Sequence, residues 1–70
     1  MEKLIKYIES RYAYAQVNSD RFSRETFFSQ AFGAIEFYLM LHPEHENTVK
    51  LMWEETYIPK FNALVSRAIR

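Results

Sequence analysis

Apolar positions in the first part of the chain repeat with the period of an α-helix. At 100° per residue, Leu4, Ile8 and Ala15 fall on one face of a helix running from Glu2 to Val17. Aromatic residues flank that face, and polar residues occupy the opposite side. The pattern predicts an amphipathic helix with a wide apolar face, in which Arg11 is the one charged residue inside the apolar arc.

A second helical segment is predicted to begin after Ser23. A serine at the N-cap accepts a hydrogen bond from a free backbone N–H, and Phe22 and Phe27 stand at the two positions of a hydrophobic staple around it. From residue 27 to 41, eleven of fifteen residues are apolar and cover nearly the whole helical circumference. A helix of this kind is typically buried, yet 70 residues supply few neighbours to surround it.

The third segment is predicted to begin near Pro43, since proline is favoured in the first turn of a helix. One apolar stripe contains Val49 and Trp53, and a second, rotated by roughly 80°, contains Tyr57 and Phe61. Pro59 lies between the stripes, where it removes a backbone hydrogen bond and clashes with the preceding turn. The pattern predicts a helix kinked at Pro59, with a clean break into two short helices as the alternative.

Composition narrows the class of protein. The chain has 70 residues, 49% of them hydrophobic, and no cysteine, which excludes disulfide scaffolds and thiolate metal sites. Its length predicts a single helical domain over residues 1–70. No apolar run approaches a membrane span, and Glu2 and Glu9 argue against a secretory signal, so we expect a cytoplasmic protein without membrane contact. Because so small a core barely offsets the entropy of ordering the chain, we expect a homodimer.

Candidate catalytic and metal-binding residues are few. His42, Glu44, His45 and Glu46 have the composition of a metal site, but the pair of histidines is predicted to straddle a turn, and HExxH spacing is absent. We therefore assign no metal, no cofactor and no small-molecule substrate from the sequence. The carboxylates of Glu54 and Glu55 are neighbours that point about 100° apart. No nucleophile or general base is evident either, and we expect no catalytic activity.

Charge is divided unevenly along a chain whose net charge is zero. Residues 1–24 and 59–70 carry an excess of basic groups, while residues 25–58 hold one basic and six acidic groups. The acidic middle would repel phosphate, so nucleic acid is not the expected partner. A DNA-associated regulator remains the alternative function if the basic residues converge in the fold. Those residues are Arg11, Arg21, Arg24, Lys60, Arg67 and Arg70.

Aromatic residues make up 17% of the chain, and tyrosine, tryptophan, methionine and arginine are favoured at the centres of protein interfaces. On this basis the sequence predicts an interface formed by Tyr7, Arg11, Tyr14, Phe37, Met40, Trp53 and Tyr57. For Arg11 we weigh two arrangements: a side chain that extends to water along the aromatic flank, or one that stacks on Tyr7 or Tyr14 and pairs with Glu36.

Together these features predict an all-α, three-helix antiparallel bundle, with the third helix kinked or broken at Pro59 and dimerisation completing the fold. The predicted function is a non-catalytic helical protein–protein interaction module, an adaptor or regulator that self-associates and has a further, unidentified protein partner. A metal-dependent or small-molecule-binding role ranks third, after DNA association.

Overall fold

A computed structural model describes residues 1–69 and contains three helical segments arranged as an antiparallel bundle. Helix α1 is Glu2–Val17 and helix α2 is Arg21–Leu41. A 3-10 turn at Pro43–His45 leads into the third segment, which consists of α3 (Glu46–Met52), a π-helical turn (Trp53–Tyr57) and α4 (Ile58–Ser66). The predicted all-α bundle is confirmed.

Helix α1 has the bounds and the buried face that its periodicity predicts. Leu4, Ile8 and Ala15 are its buried residues. The helix ends at Asn18, whose backbone turns to an extended conformation and whose side-chain amide donates to the carbonyl of Tyr14 at 2.8 Å. This bond satisfies one of the carbonyls that lack a partner at a helix C-terminus.

Helix α2 begins earlier than the sequence pattern predicts, and the predicted cap at Ser23 is wrong. The N-cap is Asp20, whose carboxylate accepts the backbone N–H of Ser23 at 2.9 Å. Aspartate caps as well as serine does, and its negative charge also suits the positive end of the helix. The predicted staple is wrong for the same reason: Phe22 lies inside the first turn and is 77% exposed.

One side of α2 packs in the core and the other side is open. Ala31 and Ile35 are buried, while large apolar side chains on the remaining circumference stay exposed. The most exposed of these in the second half of the helix are Phe37 and Met40. The chain therefore does not surround α2, as expected from the small number of neighbours that 70 residues supply.

The third segment bends without breaking, because its helical turns continue through Pro59. Val49, Trp53, Tyr57 and Phe61 are four residues apart, so in a regular α-helix each would rotate about 40° from the last. The wider π-helical turn absorbs part of that drift, and all four side chains are buried in one core. The two stripes predicted to face different directions thus face the same one.

Phe61 lies at the centre of the core and is fully buried. Its ring stacks on Phe28 of α2 at 5.1 Å between centroids and meets the edge of Tyr12 of α1 at 5.4 Å. Trp53 lies 6.2 Å away on the same segment. Rings from all three helical segments therefore hold the bundle together, which fixes α1 beside α2 and leaves their shared outer side free.

Candidate interaction surface

The outer sides of α1 and α2 carry several exposed aromatic and aliphatic residues, and Arg11 lies half-buried among the tyrosines of α1. We call this set the aromatic face, and it consists of Tyr7, Arg11, Tyr14, Phe37, Met40 and Leu41. Tyr7, Phe37 and Leu41 line an open pocket of about 560 Å³ between the start of α1 and the end of α2. The pocket is shallow and apolar, which suits a protein side chain better than a polar metabolite.

Arg11 lies within the aromatic face and stacks on its rings. The guanidinium carbon is 4.8 Å from the ring centroid of Tyr14, 5.0 Å from that of Tyr7 and 5.6 Å from that of Phe27. Such distances are those of cation–π contacts, and the rings screen the apolar sides of the guanidinium plane. Of the two arrangements weighed for Arg11, the structure has the stacked one.

The predicted pairing of Arg11 with Glu36 is wrong. Its Nη1 donates instead to the side-chain oxygen of Gln30 at 3.2 Å. Because α1 and α2 run antiparallel, Arg11 lies opposite Phe27 and Gln30, and Glu36 is six residues, roughly 9 Å, further along α2. The register between α1 and α2 depends on the length of the turn that connects them. The pattern of apolar residues does not define that length.

Five of the seven residues predicted for an interface lie on α1 and α2 outside the core. Tyr7 and Tyr14 on α1 and Phe37 and Met40 on α2 are all exposed, and Arg11 is half-buried between the two tyrosines. Trp53 and Tyr57 are 4% and 5% exposed, so the chain itself covers them. Their rings belong to the core, so Trp53 and Tyr57 are not available for contact with another chain.

Tyr57 has a polar contact at the edge of the core. Its hydroxyl donates to a carboxylate oxygen of Glu9 on α1 at 3.1 Å. Burial of the phenol, and then the hydrogen bond and negative charge of Glu9, raise the pKa of Tyr57 above its ordinary value of 10.0. The contact joins the π-helical turn to α1 on the side away from the aromatic face.

Two of the basic residues lie near one end of the bundle. Arg24 donates to the carbonyls of Ala15 and Asn18 at the end of α1 and to that of Leu64 in α4, and Arg67 donates to the carbonyl of Ala63 in α4. Lys60 lies 4.7 Å from the ring centroid of Tyr12. Arg70, the remaining basic residue near the C-terminus, lies outside the described residues. The DNA-associated alternative stays a prediction.

The turn after α2 brings together the two histidines that were expected to straddle it. One ligand atom from each of His42, Glu44 and His45 lies within 4.8 Å of the others. A hydrogen bond with the backbone amide of Glu44 itself, and then the adjacent His45 and His42, lower the pKa of the Glu44 carboxyl from its ordinary value of 4.5. Glu46 is not part of this group, because it pairs with Lys50 at 3.9 Å.

Three residues with defined roles were missed by the sequence reasoning. Asp20 caps α2, Arg24 joins two helix ends, and Tyr38 makes a hydrogen bond to His45 at 2.7 Å. An aspartate three residues before Ser23 was a visible signal for the cap. The contacts of Arg24 and Tyr38 depend on how the helices are placed, and the sequence alone carries no signal for them.

Among residues 1–69, no helix is both long enough and apolar enough to cross a membrane. Comparisons of the chain with protein-family models, with curated proteins and with solved structures find no match. The geometry of the chain's own surface is therefore the evidence for its function.

Proposed function

We propose that this protein is a non-catalytic helical interaction module that forms a homodimer through the aromatic face. The observation that carries the proposal is the exposure of several large apolar side chains on two adjacent helices of a very small bundle. Tyr14, Phe37, Met40 and Leu41 are 53%, 60%, 68% and 58% exposed. Clusters of this kind mark protein interaction sites, whereas apolar residues exposed singly are ordinary.

The size of the face suits a second copy. Two adjacent helices of about 30 and 24 Å in length present a side of roughly 600 Å² in projection. A standard interface buries about 800 Å² on each partner, which is about one sixth of the 4814 Å² that the chain exposes. A two-fold pairing of this face therefore buries an area close to that of a standard interface on each copy.

The composition of the face also favours self-association. Arg11 is stacked on rings and bonded to Gln30, so its charge is already partnered within the chain, and the other charged residues at the pocket, Glu2 and Lys3, have opposite signs. Gly33 lies on the outward side of α2, and a Cβ added there would contact nothing within 4 Å. Because its backbone φ is not positive, the fold of the chain gives no reason for glycine, whereas close approach of a second helix does.

A cytoplasmic location is part of the proposal, since a cysteine-free chain is suited to a reducing compartment. A further protein partner, if the module is an adaptor, would have to bind outside the dimer interface. The exposed side of α3 around Leu51 is available for that role.

Two matched leucines test the proposal. Leu41 belongs to the aromatic face and Leu51 to α3, and they are 58% and 56% exposed. We expect sedimentation velocity to give the wild type and Leu51→Glu a mass of twice 8.5 kDa at micromolar concentration, and Leu41→Glu a mass of 8.5 kDa. A monomeric wild type, or dissociation by Leu51→Glu but not by Leu41→Glu, would contradict the proposal.

A further inference from the structure

The turn that follows α2 has a geometry that aligns its two histidines. Pro43–His45 forms a 3-10 turn, in which the backbone N–H of His45 donates to the carbonyl of His42 at 3.0 Å. Because a 3-10 helix has three residues per turn, side chains three apart lie directly above one another. The rings of His42 and His45 accordingly stack at 5.7 Å with an interplanar angle of 15°.

Both imidazoles direct a nitrogen at the same carboxylate. Nδ1 of His42 lies 3.6 Å from Oε2 of Glu44, and Nε2 of His45 lies 3.8 Å from the same oxygen. Zinc bonds to nitrogen and oxygen are about 2.0–2.1 Å long, so two ligand atoms in a tetrahedral site are roughly 3.3–3.5 Å apart. These side chains are about half exposed, and small rotations would close the remaining gap.

Tyr38 holds the second nitrogen of His45. Its hydroxyl lies 2.7 Å from Nδ1 of His45, and its ring lies 4.6 Å from that of His42. Tyr38 is itself half-buried against the core on α2. Metal-binding histidines usually donate their other ring N–H to a fixed partner, which sets the ring's orientation and leaves the facing nitrogen free to bind.

We propose that His42, Glu44 and His45 form a binding site for one divalent transition-metal ion, with Tyr38 orienting His45 and water completing the coordination. Two imidazoles and one carboxylate favour zinc, copper or nickel over magnesium or calcium, which prefer oxygen ligands alone. The site lies in the turn that follows α2 and adjoins the pocket of the aromatic face, which Tyr38 and His42 also line. The sequence was expected to separate the two histidines across the turn at Pro43, whereas their rings lie side by side.

Titration calorimetry with zinc sulfate on the full 70-residue chain tests this site against a matched control. Glu44→Gln and Glu46→Gln remove the same charge two residues apart, but only Glu44 faces the histidines. We expect one zinc ion per chain in the wild type, unchanged affinity in Glu46→Gln, and at least about tenfold weaker binding in Glu44→Gln and His45→Gln. Tyr38→Phe keeps the ring and removes only the hydroxyl, so a loss of about tenfold there would support its orienting role.

Circular dichroism of each variant establishes that the helices are intact before the affinities are compared. Absence of zinc binding to the folded wild type at millimolar zinc would overturn the proposal. Equal weakening by Glu44→Gln and Glu46→Gln would also overturn it, because zinc would then be held by general negative charge and not by these three side chains.

Discussion

Asp20 shows how one side chain decides where a helix begins. Its carboxylate accepts the backbone N–H of Ser23 at 2.9 Å, and the hydroxyl of Ser23 also donates to it at 3.3 Å. Serine and aspartate are both good N-caps, so the sequence alone does not distinguish a helix that starts after Asp20 from one that starts after Ser23. The turn of the chain after Asn18 decides in favour of Asp20.

The first prediction follows from this assignment. Asp20→Ala removes the cap of α2 and should lower the free energy of unfolding by about 1 kcal/mol. Ser23→Ala, which leaves the cap intact, should cost less. Urea unfolding at one fixed chain concentration measures both values, and a larger loss in Ser23→Ala would show that the helix begins at Ser23 after all.

Arg11 is held by its planar shape as much as by its charge. Lysine would retain the charge but would lose the fork that bonds Gln30 while the plane stacks on Tyr14. We therefore expect Arg11→Lys to lower the free energy of unfolding by about 1 kcal/mol. The exposed Arg21 provides the control, because Arg21→Lys should stay within about 0.5 kcal/mol of the wild type. Equal effects of the two substitutions would mean that the stack contributes nothing.

Tyr57 makes the stability of the fold sensitive to alkaline pH. Burial, and then Glu9, raise its pKa in the folded chain above the ordinary value of 10.0. The folded state therefore holds the phenol proton more tightly than the unfolded state does. This contribution to stability is complete below about pH 10 and is lost as the pH rises through the higher pKa of the folded chain.

We expect the free energy of unfolding of the wild type to fall more steeply above about pH 10 than that of Tyr57→Phe, which has no proton to lose. Urea unfolding at a series of pH values gives both curves, and the difference in ultraviolet absorbance between the wild type and Tyr57→Phe reports the ionisation of Tyr57. Parallel curves for the two proteins would mean that Tyr57 ionises as readily in the folded chain as in the unfolded one.

At the scale of elements, Arg24 joins the ends of two helices. Its guanidinium donates to the carbonyls of Ala15 and Asn18 at the end of α1 and to that of Leu64 in α4, and so ties the two helix ends together. Hydrogen bonds from charged groups contribute about 1.5–3 kcal/mol, so we expect Arg24→Met to cost about 2 kcal/mol. The same substitution at the exposed Arg21 is the matched control, and thermal and urea unfolding measure both. Similar values for the two variants would show that the helix ends are satisfied by water.

The features of these helices that depend on contacts within one regular helix could be predicted from the sequence, and those that depend on contacts between helices or on irregular turns could not. The bounds and buried face of α1 follow from the periodicity of Leu4, Ile8 and Ala15 alone. The π-helical turn changes the number of residues per turn, so arithmetic at 100° per residue misplaced Tyr57. The 3-10 turn brings His42 and His45 side by side, which the expected turn at Pro43 did not predict. The stacking of Arg11 followed from its own helix, whereas its partner Gln30 depended on the register between α1 and α2.

At the scale of the whole molecule, a small bundle leaves one long side uncovered. The described chain measures 39 × 18 × 16 Å, so α2, at about 30 Å, spans most of its length. The sequence predicted that α2 would exceed what the chain could bury, and the structure leaves large apolar side chains of α2 exposed, three of which, Phe37, Met40 and Leu41, belong to the aromatic face. We propose that a second copy of the chain covers that face.

Intermolecular nuclear Overhauser effects in an equal mixture of ¹³C-labelled and unlabelled chains test that claim most directly, because they report only contacts between copies. We predict contacts from the methyl groups of Met40 and Leu41 in one copy to the aromatic protons of Phe37 and Tyr7 in the other. Absence of intermolecular contacts, or contacts that involve Leu51 and spare Met40 and Leu41, would contradict the account.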